Sequence, residues 1–278
     1  LITCNTHDSM LFFTDKGKVH WLKAHEIPSS AKSSKGKAIV NLLNLKDEKV
    51  TSVLAVKEFK NYLMMATQKG FIKKIELSQF GNPRNGGIKA IKVSETEDTL
   101  IGVKPLIEGQ EILLVTKKGQ AIHFKSSDVR SMGRASRGVT GIRLAKGDSV
   151  VSLEILPVVD KKDFSILTIT RKGYGKRSEI DDYRLTSRAG KGVINMKVTD
   201  KTGDIVNSQC VTGNDNVIIT TKKGIVIRTP LKNVRVMGRA TQGVRVINIK
   251  DGDRVSDFAK VVDDSVVEKL SEVEALKE

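Results

Sequence analysis

Cysteine is almost absent from this sequence. Cys4 and Cys210 stand far apart in 278 residues, with no CxxC spacing, which argues against a disulfide framework or a cysteine-based zinc site and makes a reducing cytoplasm the expected compartment. Aromatic residues reach only 4%, too few for the stacking platforms that grip single-stranded nucleic acid. No apolar run approaches the roughly 18 to 20 residues of a membrane span. The opening Leu-Ile-Thr-Cys has no charged start or cleavage site, so neither a membrane nor a targeting role is expected. An initiator Met is also missing, which points to a piece of a longer chain.

Catalytic signatures are missing too. There is no GxxxxGK[ST] loop, and Gly190-Lys191-Gly192 does not join a strand to a helix, so nucleotide binding is not expected. His7, His20, His25 and His123 show no HExxH or paired-ligand spacing. His123 falls within a strand pattern, as a structural or phosphate-facing residue. Tyr62, Tyr174 and Tyr183 all lie inside repeats. No catalytic residue, cofactor or metal is assigned.

What the chain does have is positive charge. Lys plus Arg number 48 against 32 Asp plus Glu, a formal +16, with a pI near 9.7, so the expected partner is a polyanion. Asp263 to Glu278 runs the other way, with six acids and two bases. The reading is a basic domain over residues 1–262 followed by an acidic tail, 263–278, that could compete with the partner or simply be solvated. Val266, Val267, Leu270, Val273 and Leu276 follow a helical stripe, so a short C-terminal helix is expected there.

The main organising signal is a repeat. A Thr-x-Lys-Gly turn closes at Gly17, Gly70, Gly119, Gly173 and Gly224, each between β-rich apolar runs, which is a hairpin signal. A second glycine follows each: Gly36, Gly138, Gly192 and Gly243 at 19 residues, Gly87 at 17. Past it, the fourth and sixth positions are apolar and the fifth polar, as in Ile91-Lys92-Val93, which predicts a further half-buried strand. Val129 to Val139 and Val234 to Val244 agree at eight of eleven positions, as duplication would produce. Units of about 50 residues with about four strands match propeller blades. Blades are expected over about 6–50, 60–100, 110–150, 163–205 and 214–255. Leu1 to Asn5 and Asp253 to Val262 are expected to pair as a last, sixth blade.

Basic residues recur at matching places in the repeat. Lysines flank the hairpin turns, as at Lys69, Lys118, Lys172 and Lys223. Four residues past the turn come Trp21, Lys74, His123, Arg177 and Arg228. Around the second glycine lie Lys35, Lys37, Arg84, Arg130, Arg134, Arg137, Arg184, Arg188, Lys191, Arg235 and Arg239. Radial stacking would turn each position into a stripe of cations that follows phosphates without reading sequence. The bland alternative is that the turn lysines only keep strand edges soluble.

Taken together, Asn5-Thr-His-Asp8, Pro28 to Gly36 leading into Ile39 to Leu43, Gly102-Val103, Val129-Arg130 with Met132-Gly133, Gly173 to Arg177, Ser187-Arg188 and Lys191 to Val193 resemble the gyrase A C-terminal domain family. The resemblance runs over about residues 1 to 262. It implies an all-β, six-bladed β-pinwheel with strands exchanged between blades and a basic rim that binds, bends and wraps duplex DNA to allow negative supercoiling. By position, Lys35, Lys37, Arg134, Arg137, Arg188, Lys191 and Arg239, with Lys73, Lys74, Lys176, Arg177 and Arg228, would face DNA, joined by Arg84, Arg130 and Arg235. The implied partners are double-stranded DNA and the rest of the gyrase A protein with the gyrase B protein, in an A2B2 ATP-dependent DNA topoisomerase of the bacterial cytoplasm. The isolated domain is expected to be monomeric and to cleave nothing itself.

One departure is that the family's Q-[RK]-R-G-G-[RK]-G box does not occur. By register it belongs just upstream of Leu1, and Arg134 to Gly138 and Arg188 to Gly192 are degenerate echoes. Binding and modest bending are therefore expected ahead of full wrapping. The corresponding C-terminal domain of topoisomerase IV is the nearer alternative, and a propeller that docks acidic proteins the more distant one.

Overall fold

The computed structural model describes residues 2, 4–31, 34, 36–43, 45, 47–84, 86–94, 97–157 and 160–261. Each Thr-x-Lys-Gly sequence makes a tight hairpin. Its glycine takes a left-handed φ, for example 83° at Gly70 and 95° at Gly119, where a side chain would be strained. The threonine closes four of the five turns: Oγ1 of Thr14, Thr67, Thr116 and Thr221 accepts the N–H of the residue after the glycine, at 3.0 to 3.3 Å.

The first repeat forms β1 (Ser9–Thr14), β2 (Lys18–Lys23) and β3 (Val50–Val56). The second forms β4 (Tyr62–Thr67), β5 (Phe71–Glu76), β6 (Ile88–Lys89) and β7 (Leu100–Leu106). In the third lie β8 (Glu111–Thr116), β9 (Gln120–Lys125), β10 (Val139–Thr140) and β11 (Val150–Leu156). The fourth holds β12 (Phe164–Thr170), β13 (Tyr174–Glu179), β14 (Val193–Ile194) and β15 (Ile205–Thr212). The fifth holds β16 (Asn216–Thr221), β17 (Val226–Pro230), β18 (Val244–Arg245) and β19 (Val255–Val261).

These strands make five antiparallel sheets, in which each hairpin takes its outermost strand from the next repeat. The orders are β3-β1-β2-β6, β7-β4-β5-β10, β11-β8-β9-β14, β15-β12-β13-β18 and, with only three strands, β19-β16-β17. The innermost strands β3, β7, β11, β15 and β19 pack each against the next and together line a central cavity. The short strands are therefore the rim.

The apolar core lies between blades. Leu11 and Phe13 of the first sheet, for instance, meet Leu63, Met65 and Phe80 of the second repeat, and the pattern continues through the later blades. An inner blade buries both faces, one against each neighbour: Leu63 and Met65 of the second blade pack toward the first, Met64 and Ala66 toward the third.

Among the described residues the array has five blades, not the six expected. β19 pairs with β16 inside the fifth sheet, so the C-terminal piece meant for a sixth blade is already used. The strand expected at the fourth to sixth positions past each second glycine does not form there: in the first repeat Ile39–Asn41 is a 3-10 turn, and in the other four a two-residue strand takes the first two positions instead. It stops because the turn-glycine carbonyl collects two consecutive N–H groups, as Gly17 does from Ala90 and Ile91 at 2.8 and 3.1 Å, and this ends the ladder. The alternation still reports burial, with Ile91 inside and Lys92 outside. The expected C-terminal helix lies at 262–278, outside the described residues. Among the described residues the only helices are single 3-10 turns, and none is long and apolar enough to cross a membrane.

Candidate nucleic-acid interface

The basic residues divide into three groups that their sequence positions alone did not separate. The first is interior. Lys73 and Lys176 are fully buried, and their ammonium groups end on oxygen atoms inside the protein. Lys73 Nζ donates to the carbonyls of Ala90, Arg134 and Ser136 at 2.7, 2.7 and 3.3 Å. Lys176 Nζ donates to Ser178 Oγ and to the carbonyls of Gly238 and Arg239 at 2.7, 3.1 and 2.7 Å. Burial lowers their pKa values, to about 8 for Lys73 and about 7 for Lys176.

Both lysines were expected to face DNA, and that expectation is corrected: neither ammonium reaches the surface. Each instead pins the arginine loop of the following blade, with its carbonyls inward and its side chains outward. Lys74 is corrected for the same reason. It is buried, its Nζ 2.5 Å from Glu108 and 4.4 Å from the centre of the Tyr62 ring.

The position four residues past the turn proves to be a seam between blades. Trp21 Nε1 donates to Phe80 O at 2.9 Å, His123 Nδ1 lies 2.7 Å from Tyr183 O, and half-buried Arg177 donates from Nε to Val234 O at 2.8 Å. Burial lowers the Arg177 pKa. His123 is also 2.8 Å from Glu111, which makes it structural and not phosphate-facing. Arg228, on the fifth blade, meets no following blade among the described residues and is exposed.

The second group sits at the hairpin turns, where lysines meet acids. Lys69 pairs with Glu97 at 3.0 Å and Lys117 with Asp204 at 3.3 Å. The turn amides of Lys69, Lys118 and Lys223 donate to Asp98, Asp148 and Asp253, and Lys118 and Lys223 also reach backbone carbonyls. This end of the array carries mixed charge, in keeping with the solubility reading of the turn lysines.

The third group lies on the rim, in the loops that lead into β10, β14 and β18. Eight residues before the second glycine stand Arg130, Arg184 and Arg235, all exposed, and one residue before it stand Arg137 and Lys191, also exposed. The Arg137 guanidinium sits over Phe71, its Cζ 3.9 Å from the ring centre, which fixes its direction while leaving it in solvent. Arg84 and Lys37 are exposed in the shorter loops of the second and first repeats. Lys35 lies outside the described residues. None of these exposed rim residues forms an ion pair with another described residue.

Four residues before the second glycine, half-buried arginines lace neighbouring loops together. Arg188 donates to Asp128 O and Thr140 O at 3.0 Å each, and Arg239 to Ile194 O at 2.9 Å. Arg134 occupies the same register and is half-buried. Arg188 and Arg239 hold the rim at least as much as they charge it.

Lys89 and Arg245, each two residues past a second glycine on the outermost strand, are exposed rim cations too. The sequence places Lys89 among the recurring basic residues near the second glycine without marking it as a site residue, and Arg245 was missed, although the fixed offset from the glycine was a signal. No group of His, Cys, Asp and Glu suited to a metal occurs among the described residues.

With this geometry in place, comparison with known proteins gives a consistent result. The chain matches the family described as DNA gyrase C-terminal domain, beta-propeller, at residues 8–57, 61–106, 110–157, 165–212 and 215–261. There is one matched segment for each blade, and five in all. It is 42% identical to the DNA gyrase A protein of Lawsonia intracellularis over 95% of this chain and 33% of that protein. With the DNA gyrase A protein of Salmonella typhimurium it is 37% identical, over 99% of this chain and 31% of that protein. The chain thus spans about a third of the length of these relatives.

Two solved structures share the fold. The DNA gyrase A C-terminal domain superposes with a TM-score of 0.79 at 27% identity, over 93% of this chain and 84% of the other. The C-terminal domain of DNA topoisomerase IV gives 0.85 at 26%, over 99% and 85%.

Proposed function

Because the chain belongs to the DNA gyrase C-terminal domain, beta-propeller family, we propose that it binds duplex DNA along its rim and bends it there. The carrying observation is the contrast between the two basic layers. At the hairpin end Lys69 and Lys117 pair with carboxylates and Lys118, Lys172 and Lys223 end on backbone carbonyls, whereas Arg130, Arg137, Arg184, Lys191 and Arg235 recur on the outermost edge of successive blades without an ionic partner among the described residues. A curved line of unpaired cations fits a phosphate backbone and reads no sequence.

The chain's part is positioning. As a segment of a DNA gyrase A protein, it would hand a wrapped duplex to the remainder of that protein and to the gyrase B protein, in an A2B2 assembly of the bacterial cytoplasm. The wrap gives strand passage its direction toward negative supercoils, and cleavage and ATP turnover belong to other parts of that assembly.

The test is a titration of the chain onto unrelated short duplexes at several salt concentrations. Changing Arg130, Arg137, Arg184, Lys191 and Arg235 to Ala should reduce the slope of log K against log salt by about 4 to 5. Changing Lys69, Lys118, Lys172 and Lys223 to Ala should alter it by about 1 or less. Equal slopes for the two variants would refute the rim as the DNA surface.

A further inference from the structure

The hairpin end of the central cavity is ringed by two repeated positions, the residue after each turn threonine and the residue before each innermost strand. At four successive seams between blades one backbone bond brings them together. Leu100 N donates to Asp15 O, Val150 N to Gln68 O, Ile205 N to Lys117 O and Val255 N to Arg171 O, each at 2.9 Å. The residues set side by side are therefore Asp15 with Thr99, Gln68 with Ser149, Lys117 with Asp204, and Arg171 with Arg254. The first two pairs bring no like charges together, and the third is an ion pair, with Lys117 Nζ 3.3 Å from Asp204. The fourth joins two charges of the same sign.

No described carboxylate cancels that pair. Asp204, the nearest acid around the ring, is engaged by Lys117. On the other side of Arg254 comes a further cation, Lys222, whose N–H donates to Arg254 O at 2.9 Å. Asp253 turns its Oδ1 to the amides of Lys223 and Arg254, and Asp200 stands farther along the same wall. Neither arginine forms an ion pair with a described residue. Like charges held side by side repel, more strongly where solvent is partly excluded, and Arg171 is half-buried. The two arginines share the walls of two adjoining hollows of about 680 and 320 Å³. Lys117, Lys222 and Ser256 line the smaller one as well.

We propose that Arg171 and Arg254 hold an oxyanion of the phosphate class between them, which closes the seam of the fourth and fifth blades as Asp204 closes the seam before it. Each guanidinium offers paired N–H donors whose spacing matches the oxygens of a phosphate, and an anion between the two offsets both charges. The backbone bonds of the seam use main-chain atoms only, which leaves both side chains for the anion. The flanking hollows have room for a free phosphate or for one phosphate of a longer molecule, such as the backbone of a duplex. The site lies at the hairpin end, apart from the rim cations, so it does not depend on the DNA reading.

Inorganic phosphate is the probe, compared with chloride at matched ionic strength, with phosphorus NMR reading binding and urea unfolding reading stability. Wild type should broaden the phosphorus line and unfold at a higher urea concentration in phosphate than in chloride, because a ligand of the folded state stabilises it. Arg254→Gln should bind phosphate about tenfold more weakly. Arg254→Asp should recreate at this seam the pairing of Lys117 with Asp204. Its midpoint in chloride should be no lower than that of wild type, and phosphate should raise it less. Titrating Arg254→Gln onto duplex DNA separates the two sources of phosphate. An unchanged salt slope assigns the site to free phosphate, and a slope smaller by about 1 assigns it to a backbone phosphate. Three results would each overturn the proposal: a phosphorus line that wild type leaves sharp, an Arg254→Asp midpoint below wild type in chloride, or an equal gain from phosphate in both chains, as exclusion of the salt from protein surfaces would give. None of them bears on the rim variants, so the two readings fail separately.

Discussion

Replacing Lys176 by Met tests the claim that an interior ammonium sets the rim. The substitution keeps the length of the chain and removes a donor that serves Ser178 Oγ and the carbonyls of Gly238 and Arg239. Ser178 keeps its bond to Met237 O, so the cost falls on the two carbonyls, at about 1 to 3 kcal/mol each when left buried and unpaired. Relief from burying a charge offsets part of this, for a net loss of about 2 kcal/mol near pH 7.

The pH dependence carries the sharper signature. The unfolded lysine holds its proton to its ordinary value of 10.5, while the folded one releases it at about 7. Between those values the unfolded chain binds more protons, so this group makes wild-type stability rise with pH, by at most about 1.4 kcal/mol per pH unit. Below pH 7 both forms are protonated and the contribution is flat. The variant has no such term, so its deficit should widen from pH 7 to pH 10. Urea unfolding at pH 6, 7, 8, 9 and 10 reads this directly. The variant should also bind DNA more weakly with an unchanged salt slope, because it displaces the loop that carries Arg235 and Arg239 without removing a phosphate contact. A variant as stable as wild type, or a deficit that shrinks as pH rises, would refute the assignment.

Further outcomes follow from other sites. Gly138→Ala should cost about 3 kcal/mol or more by denaturant unfolding, since its φ of 95° is compounded by the blow of Cβ on Ile72 O, whereas Gly36→Ala should cost only about 1 to 2 kcal/mol for the left-handed backbone. Tyr183→Phe should cost about 1 to 2 kcal/mol, because the fully buried hydroxyl bonds Asn195 Oδ1 at 2.5 Å. Burial pushes the Cys210 thiol up to about 12, so a thiol reagent at pH 8 should label exposed Cys4 rapidly and Cys210 only after denaturation.

The blades are legible in the sequence because their signals are local. A left-handed glycine after Thr-x-Lys specifies a hairpin within four residues, and all five turns appear where the sequence places them. Blade count is harder, because repeats can be counted but the fate of the remainder cannot: Val255 to Val261 looks spare until β16 proves to need it. The buried lysines mislead for a similar reason. Lys69 and Lys73 share one strand-turn unit and one side chain, yet one is in solvent and the other beneath the next blade's loop. A signal exists in the column: three residues past the turn stand His20, Lys73, Ile122, Lys176 and Ile227, and two isoleucines there mark a position that points inward. Division of the rim arginines into free and tied ones depends on contacts some 45 to 60 residues apart, which no local pattern carries.

The borrowing of each outer strand from the following repeat also bears on how the chain comes off the ribosome. Gly17 cannot receive Ala90, nor Gly70 Gly141, until some seventy further residues have been made, so every newly formed hairpin waits with one edge bare while its successor is translated. Synthesis then zips the array in one direction, and at each moment a single unfinished edge is exposed, always on the youngest blade. A pause in translation within a repeat would prolong that exposure at one identifiable edge, which is where chaperone capture or mispairing between neighbouring nascent chains would concentrate.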